Sequence, residues 1–115
     1  MKMKSFNVAG VTFKRAGQSA TGLELISKYT GFGSTFVLER EIDNKYDGNA
    51  IMVKQEFKKS GNRVMLGYVP KKLAVEFAPL MDQHGWEPVV KFGRKFIDEK
   101  NDGECKGLQL RYEPR

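Results

Sequence analysis

The chain has one cysteine, one histidine and one tryptophan in 115 residues. With Cys105 alone, no disulfide can close within it. With His84 as the only imidazole, there is no His/Cys set of the kind that holds zinc. His84 lies between Gln83 and Gly85 with no nucleophile motif beside it, so it reads as a surface residue rather than a general base. No apolar run approaches the roughly 18 residues of a membrane span. The start, MKMKSFNV, lacks the long apolar core of a signal peptide. These absences point to a cytoplasmic protein of a reducing compartment, with no membrane partner, no metal and no cofactor. At this length a single domain over residues 1–115 is expected, large enough to bury its own core.

What the chain does have is positive charge. Twenty Lys and Arg stand against fourteen Asp and Glu, a formal charge of +6, and the isoelectric point is near 9.5. A basic balance of this size favours a polyanionic partner.

The most informative stretch is Phe36 to Val53, FVLEREIDNKYDGNAIMV. Phe36, Leu38 and Arg40 point one way and Val37, Glu39 and Glu41 the other, a period of two that predicts a half-buried strand. Ala50 to Val53 resumes the apolar run. Between them, Asp43-Asn44-Lys45-Tyr46-Asp47-Gly48-Asn49 gathers the residues that bond their own backbone or tolerate positive φ, so a hairpin turn is expected. A turn has no need of Tyr46. An aromatic ring at a loop tip, between a lysine and a carboxylate, suits either a binding site or a lid folded back on the core.

Elsewhere, Ser5 to Phe13 alternates as a first strand, with Gly10 inside it marking a bulge or a close backbone approach. Thr21-Gly22-Leu23-Glu24 has capping-box spacing and opens a short helix that ends at Gly31. Gly31-Phe32-Gly33-Ser34 reads as a flexible link; it is no phosphate loop, because a strand and not a helix follows. Glu56 to Asn62 is a polar loop, and Arg63 to Val69 the next strand. Pro70 opens a helix striped with Leu73, Ala74, Phe77, Leu80 and Met81, which Pro79 should kink or split. Lys71 and Lys72 occupy its first turn, against the helix dipole, where a bound phosphate would relieve them. Val89 to Ile97 and Leu108 to Tyr112 form a last strand pair around an acid-rich turn. The expected fold is mainly β with short helices (α+β): an OB-like small curled barrel of about five to six strands with two helical segments.

For chemistry, Glu39, Glu41, Asp43 and Asp47 offer carboxylates for a metal-dependent nuclease, but at unspecific spacing. Binding fits better. Rings at strand ends and loops, Phe13, Tyr46, Tyr68 and Tyr112, interleave with Lys14, Arg15, Lys45, Lys71, Lys72 and Arg111. Single strands need this pairing, rings for bases and cations for phosphates, at about 1–3 kcal/mol per stacked base. In so small a barrel at least half of such rings must instead be core.

Several segments, in order along nearly the whole chain, resemble the HIRAN domain. They are Phe6-Asn7-Val8-Ala9-Gly10-Val11-Thr12-Phe13, Leu38-Glu39-Arg40-Glu41 with Asn44-Lys45-Tyr46-Asp47-Gly48-Asn49-Ala50-Ile51, Gly67-Tyr68-Val69-Pro70-Lys71-Lys72-Leu73-Ala74, and Ala78-Pro79-Leu80-Met81-Asp82. The segment from Arg40 to Ile51 is the specific part. The resemblance implies a modified OB-like fold, found fused to SWI2/SNF2-type ATPases of DNA repair and alone in bacteria and phages. It implies binding of single-stranded DNA at a free 3′ end. Asp47 would accept from the terminal 3′-hydroxyl and Tyr46 would pack on the terminal nucleotide. Phe13 and Tyr112 would sandwich or support bases, Lys71 would take a phosphate, and Tyr68 would line the groove. The candidate DNA-binding set is therefore Thr12, Phe13, Lys14, Arg15, Lys45, Tyr46, Asp47, Tyr68, Lys71, Lys72 and Tyr112. Lys45 stands where the family usually has proline, and Phe13 where it usually has tyrosine. No ATPase motif accompanies these residues, so the expectation is a stand-alone, non-enzymatic module. The alternative is a protein-interaction module that docks on, or inhibits, a nucleic-acid-processing enzyme.

Overall fold

Period-two alternation becomes strand almost wherever it occurs. The computed structural model describes residues 2–115. It contains β1 (Lys4–Asn7), α1 (Gly22–Tyr29), β2 (Thr35–Arg40), β3 (Ile51–Glu56), β4 (Arg63–Tyr68), α2 (Lys71–His84), β5 (Val90–Asp98) and β6 (Glu104–Tyr112). The strands form two antiparallel three-stranded sheets, in the orders β1-β6-β5 and β2-β3-β4. The fold is thus mainly β with two helices, as the sequence leads one to expect. The anticipated central hairpin forms, with Leu38 opposite Val53 and Arg40 opposite Ile51. Phe36, Leu38, Ile51 and Val53 all face the core.

Among the described residues, backbone hydrogen bonds join the two sheets at one place. Beyond β1, the Ala9 amide donates to the Tyr68 carbonyl and the Tyr68 amide donates back to Ala9, both at 2.8 Å. One strand and its continuation therefore pair first with β6 and then with β4. On the far side the outer strands β2 and β5 lie near each other without a ladder, flanking an open cleft of about 610 Å³ that Trp86 also lines. The result is a curled barrel with one open seam.

That meeting requires missing side chains. A Cβ on Gly67 would stand 2.3 Å from the Ala9 carbonyl oxygen and 2.8 Å from Val8 Cγ1. At the start of α1 a Cβ on Gly22 would stand 1.8 Å from the Leu66 carbonyl oxygen. Helix α1 can lie on β4 only because of that gap. Its start is set by the expected capping box: the Glu24 amide donates to Thr21 Oγ1 at 3.1 Å, and the Thr21 amide donates to Glu24 Oε1 at 3.2 Å. Ile26 then reaches the core with no exposure, a burial that contributes about 1.5–3 kcal/mol.

Four expectations change. The first strand stops at Asn7 instead of running to Phe13, because Gly10 takes a φ of +67° and turns the chain. The last strand begins at Glu104 rather than Leu108; Cys105 and Gly107 face inward and Glu104 and Lys106 outward, an alternation hidden by small residues. Helix α2 is not split at Pro79. That ring and Val75, whose carbonyl loses its partner, lie on the exposed face, where water can satisfy the carbonyl, while Ala74, Phe77 and Ala78 hold the other face in the core. Finally, Tyr112 is a core residue. It is 6% exposed, with ring centroids 5.1 Å from Phe77 and 5.9 Å from Phe6. It cannot sandwich a base without leaving the interior. No helix is long and apolar enough to cross a membrane among the described residues.

Gly67→Ala should lower folding stability by about 3 kcal/mol in chemical denaturation, since backbone and not a flexible side chain must give way. Gly31→Ala, at a position with nothing within 4 Å, should change it by no more than about 0.5 kcal/mol.

Candidate nucleic-acid interface

The loop from Glu41 to Ala50 is built by its own side chains. Asn44 Oδ1 accepts from the amides of Tyr46 and Asp47 at 2.8 and 2.9 Å, and Asp47 Oδ1 accepts from the Asn49 amide at 2.9 Å. These side-chain turns explain why the sequence needs Asn and Asp at these positions. They hold Tyr46 outward, 95% exposed, so its ring is not a lid on the core. Asp47 keeps Oδ2 without a hydrogen-bond partner among the described residues.

Arg40 fastens the loop to the body. Its Nη1 donates to the Ala50 carbonyl at 2.6 Å, its Nη2 to the Gly48 carbonyl at 2.8 Å, and its Nε to Asp82 of α2 at 3.0 Å. The sequence contained a signal for this role. Arg40 continues the inward row of Phe36 and Leu38, and a cation placed inward must find acceptors. Glu41, on the opposite row, is also tied down: its Oε1 accepts from Asn44 Nδ2 and from the Tyr68 hydroxyl, both at 2.7 Å.

Opposite the loop stands Tyr68 at the end of β4. The Arg15 guanidinium lies 4.4 Å from its ring centroid and 6.0 Å from that of Phe13. Gly10 is the pivot of this trio: a Cβ there would touch Tyr68, Arg15 and Phe13 at 3.5–3.6 Å. Arg15 Nη2 is shielded from solvent and has no hydrogen-bond partner among the described residues. Phe13 is 63% exposed. Burial, and then the hydrogen bond to Glu41, push the Tyr68 phenol above its ordinary 10.0.

Between loop and strand lies a cleft of about 210 Å³, lined in part by Asn44, Tyr46, Asp47, Tyr68 and Lys71. Lys71 is the first residue of α2, whose N-cap Pro70 supplies no side-chain bond and whose first turn has no acid. The positive end of that helix is thus unopposed. Of the eleven candidates, Tyr46, Asp47, Tyr68 and Lys71 come together here, with Arg15 and Phe13 stacked behind Tyr68. Lys45 is exposed beside Tyr46, and Lys72 is exposed beyond Lys71. Thr12 and Lys14 are exposed on the turn after Gly10, and neither lines the cleft. Tyr112 lies in the core. Glu39 faces Lys54 at 2.7 Å, and no group of three metal-ligating side chains occurs among the described residues.

The family model for the HIRAN domain matches residues 3–106. No curated protein sequence matches the chain. Among solved structures, the crystal structure of the HIRAN domain of human HLTF is similar at 27% identity, covering 96% of this chain and 74% of that one, with a TM-score of 0.49.

Arg40→Lys should lower stability by about 1–3 kcal/mol, because an ammonium cannot reach two carbonyls and Asp82 together; thermal denaturation checks this. Tyr68 supplies a pH dependence. A phenol raised in the folded state contributes stability that is complete below pH 10.0 and is lost as pH rises through its folded value. The stability difference between the wild type and Tyr68→Phe, followed by denaturant titration, should therefore shrink at alkaline pH.

Proposed function

The chain belongs to the HIRAN domain family, a family of DNA-binding modules, and from that premise we propose that it binds single-stranded DNA and recognises a free 3′-hydroxyl end, with no catalysis of its own. The observation that carries this reading is the pairing of an acid and a base around one small cleft. Asp47 has a spare carboxylate oxygen, Lys71 stands at an uncapped helix start, and the exposed ring of Tyr46 is beside them. In this reading the terminal base stacks on Tyr46. The 3′-hydroxyl donates to Asp47, and the phosphate before it meets Lys71 and the first amides of α2. A carboxylate accepts from a hydroxyl but repels a phosphate, so Asp47 discriminates between the two kinds of end.

Arg15 extends the site. Its guanidinium is already stacked on Tyr68 and has an unused donor, which suits a second phosphate. Phe13, half out of the surface beside it, offers a further stacking face. The net charge of +6 adds a sequence-independent attraction that salt will screen.

The test is fluorescence anisotropy with short single strands that differ only in a 3′-hydroxyl or a 3′-phosphate. The hydroxyl strand should bind about tenfold tighter, about 1.4 kcal/mol. Asp47→Asn retains an acceptor for the Asn49 amide while removing the charge, so it should abolish the preference without opening the loop. Lys71→Ala should weaken both strands and reduce the salt slope by about 0.7. Equal binding of the two ends by the wild type would overturn end recognition; equally weak binding of both, or none, would in addition favour docking on a nucleic-acid-processing protein.

A further inference from the structure

The largest ring exposure in the molecule lies away from the cleft just described. Phe32, in the link between α1 and β2, is 98% exposed. Its loop is nonetheless built. The Gly31 amide donates to Ser34 Oγ at 2.9 Å, and the Ser34 amide donates back to the Gly31 carbonyl at 3.0 Å. Beneath it, buried Gln55 accepts from Thr30 Oγ1 at 2.6 Å and donates to the Tyr29 carbonyl at 3.1 Å, fixing the end of α1 on β3. A phenylalanine held wholly in water on a fastened loop has an apolar cost that its own fold does not relieve.

Cations flank it on both sides. One cleft of about 530 Å³ runs from Phe32 to Lys91, Phe92 and Arg111 and contains no acid. A second, of about 420 Å³, runs from Phe32 to Phe57, Lys58 and Lys59. The one acid lining it, Glu56, is paired with Arg63 at 3.0 Å. None of Lys58, Lys59, Lys91 and Arg111 has a carboxylate partner among the described residues. Moreover, Lys91 and Arg111 are direct cross-strand partners in β5 and β6. Like charges opposite each other destabilise a sheet, and a bound anion between them reverses that effect.

We propose that Phe32, with Lys91 and Arg111 on one side and Lys58 and Lys59 on the other, forms a second contact surface for single-stranded nucleic acid. It takes internal nucleotides, the base on Phe32 and the phosphates on the cations. The surface lies at the end of the β2–β3 hairpin opposite to Asp47. Six residues of strand separate the two ends, roughly 20 Å, so one strand held at its 3′ end would have to follow the body to reach it. The inference shares only its class of ligand with the end-recognition reading, since no 3′ terminus is involved.

A covalently closed circular single strand separates the two, because it has no end. The wild type should bind the circle, and Phe32→Ala should weaken that binding about tenfold. The double substitution Lys91→Gln with Arg111→Gln should reduce the salt slope by about 1.4, two phosphate contacts' worth on a single strand. All three substituted surface residues are exposed, and an unaltered thermal midpoint confirms an intact fold. Failure of the wild type to bind the circle, or equal binding by the wild type and both surface variants, would overturn the proposal. Loss of hydroxyl preference with circle binding retained would overturn end recognition alone and support this surface.

Discussion

The reciprocal pair of hydrogen bonds between Ala9 and Tyr68 is where the two sheets become one body, and it depends on Gly67 having no side chain. Both halves of the candidate cleft diverge from that point. After Ala9 the chain turns at Gly10 and brings Phe13 and Arg15 against the Tyr68 ring. After Tyr68 it runs through Val69 and Pro70 directly into Lys71. A strand junction that served stability alone would not need an aromatic residue at its end or a stacked cation beside it. Here the same two bonds that close the barrel set the distance between ring, guanidinium and helix start.

Electrostatics explains the loop that completes the cleft. A protein with an excess of six positive charges carries Glu41, Asp43 and Asp47 within one short segment. Two of these have structural duties: Glu41 ties Asn44 to Tyr68, and Asp47 caps Asn49. Arg40, 13% exposed, takes up two loop carbonyls, that of Ala50 in a part-buried place and that of Gly48 at the surface. The acids therefore shape a rigid hollow in a basic surface. One carboxylate oxygen of Asp47 is left over from that task, and the selectivity proposed for the site rests on it.

Much of the fold was legible because it is encoded between near neighbours. The Thr21/Glu24 capping box, the alternation from Phe36 to Arg40 and the Asx turns around Asn44 involve residues a few positions apart, so spacing and residue type suffice to find them. The errors have a common origin. Gly10 reads as a bulge or a close backbone approach within a longer strand, yet it turns the chain, since nothing local distinguishes a bulge from a turn. Pro79 suggests a kink or a split, but tertiary packing of Ala74, Phe77 and Ala78 keeps the helix in one piece. Tyr112 looks like a site residue with the other rings, because a strand-end tyrosine reads alike whether it faces water or Phe77.

The order of strands and helices, the central hairpin, the family, and the loop that presents Tyr46 and Asp47 were all determined by the sequence. These follow from periodicity and from side chains that bond their own backbone. Tertiary structure alone decided which rings are interior and which are free. It placed Arg15 on Tyr68, put Lys71 across from Asp47, and set Lys91 opposite Arg111 beside an unburied Phe32. Those relations join residues far apart in the chain. They arise only when the curled sheet closes, because closure, and not local preference, determines which faces lose water.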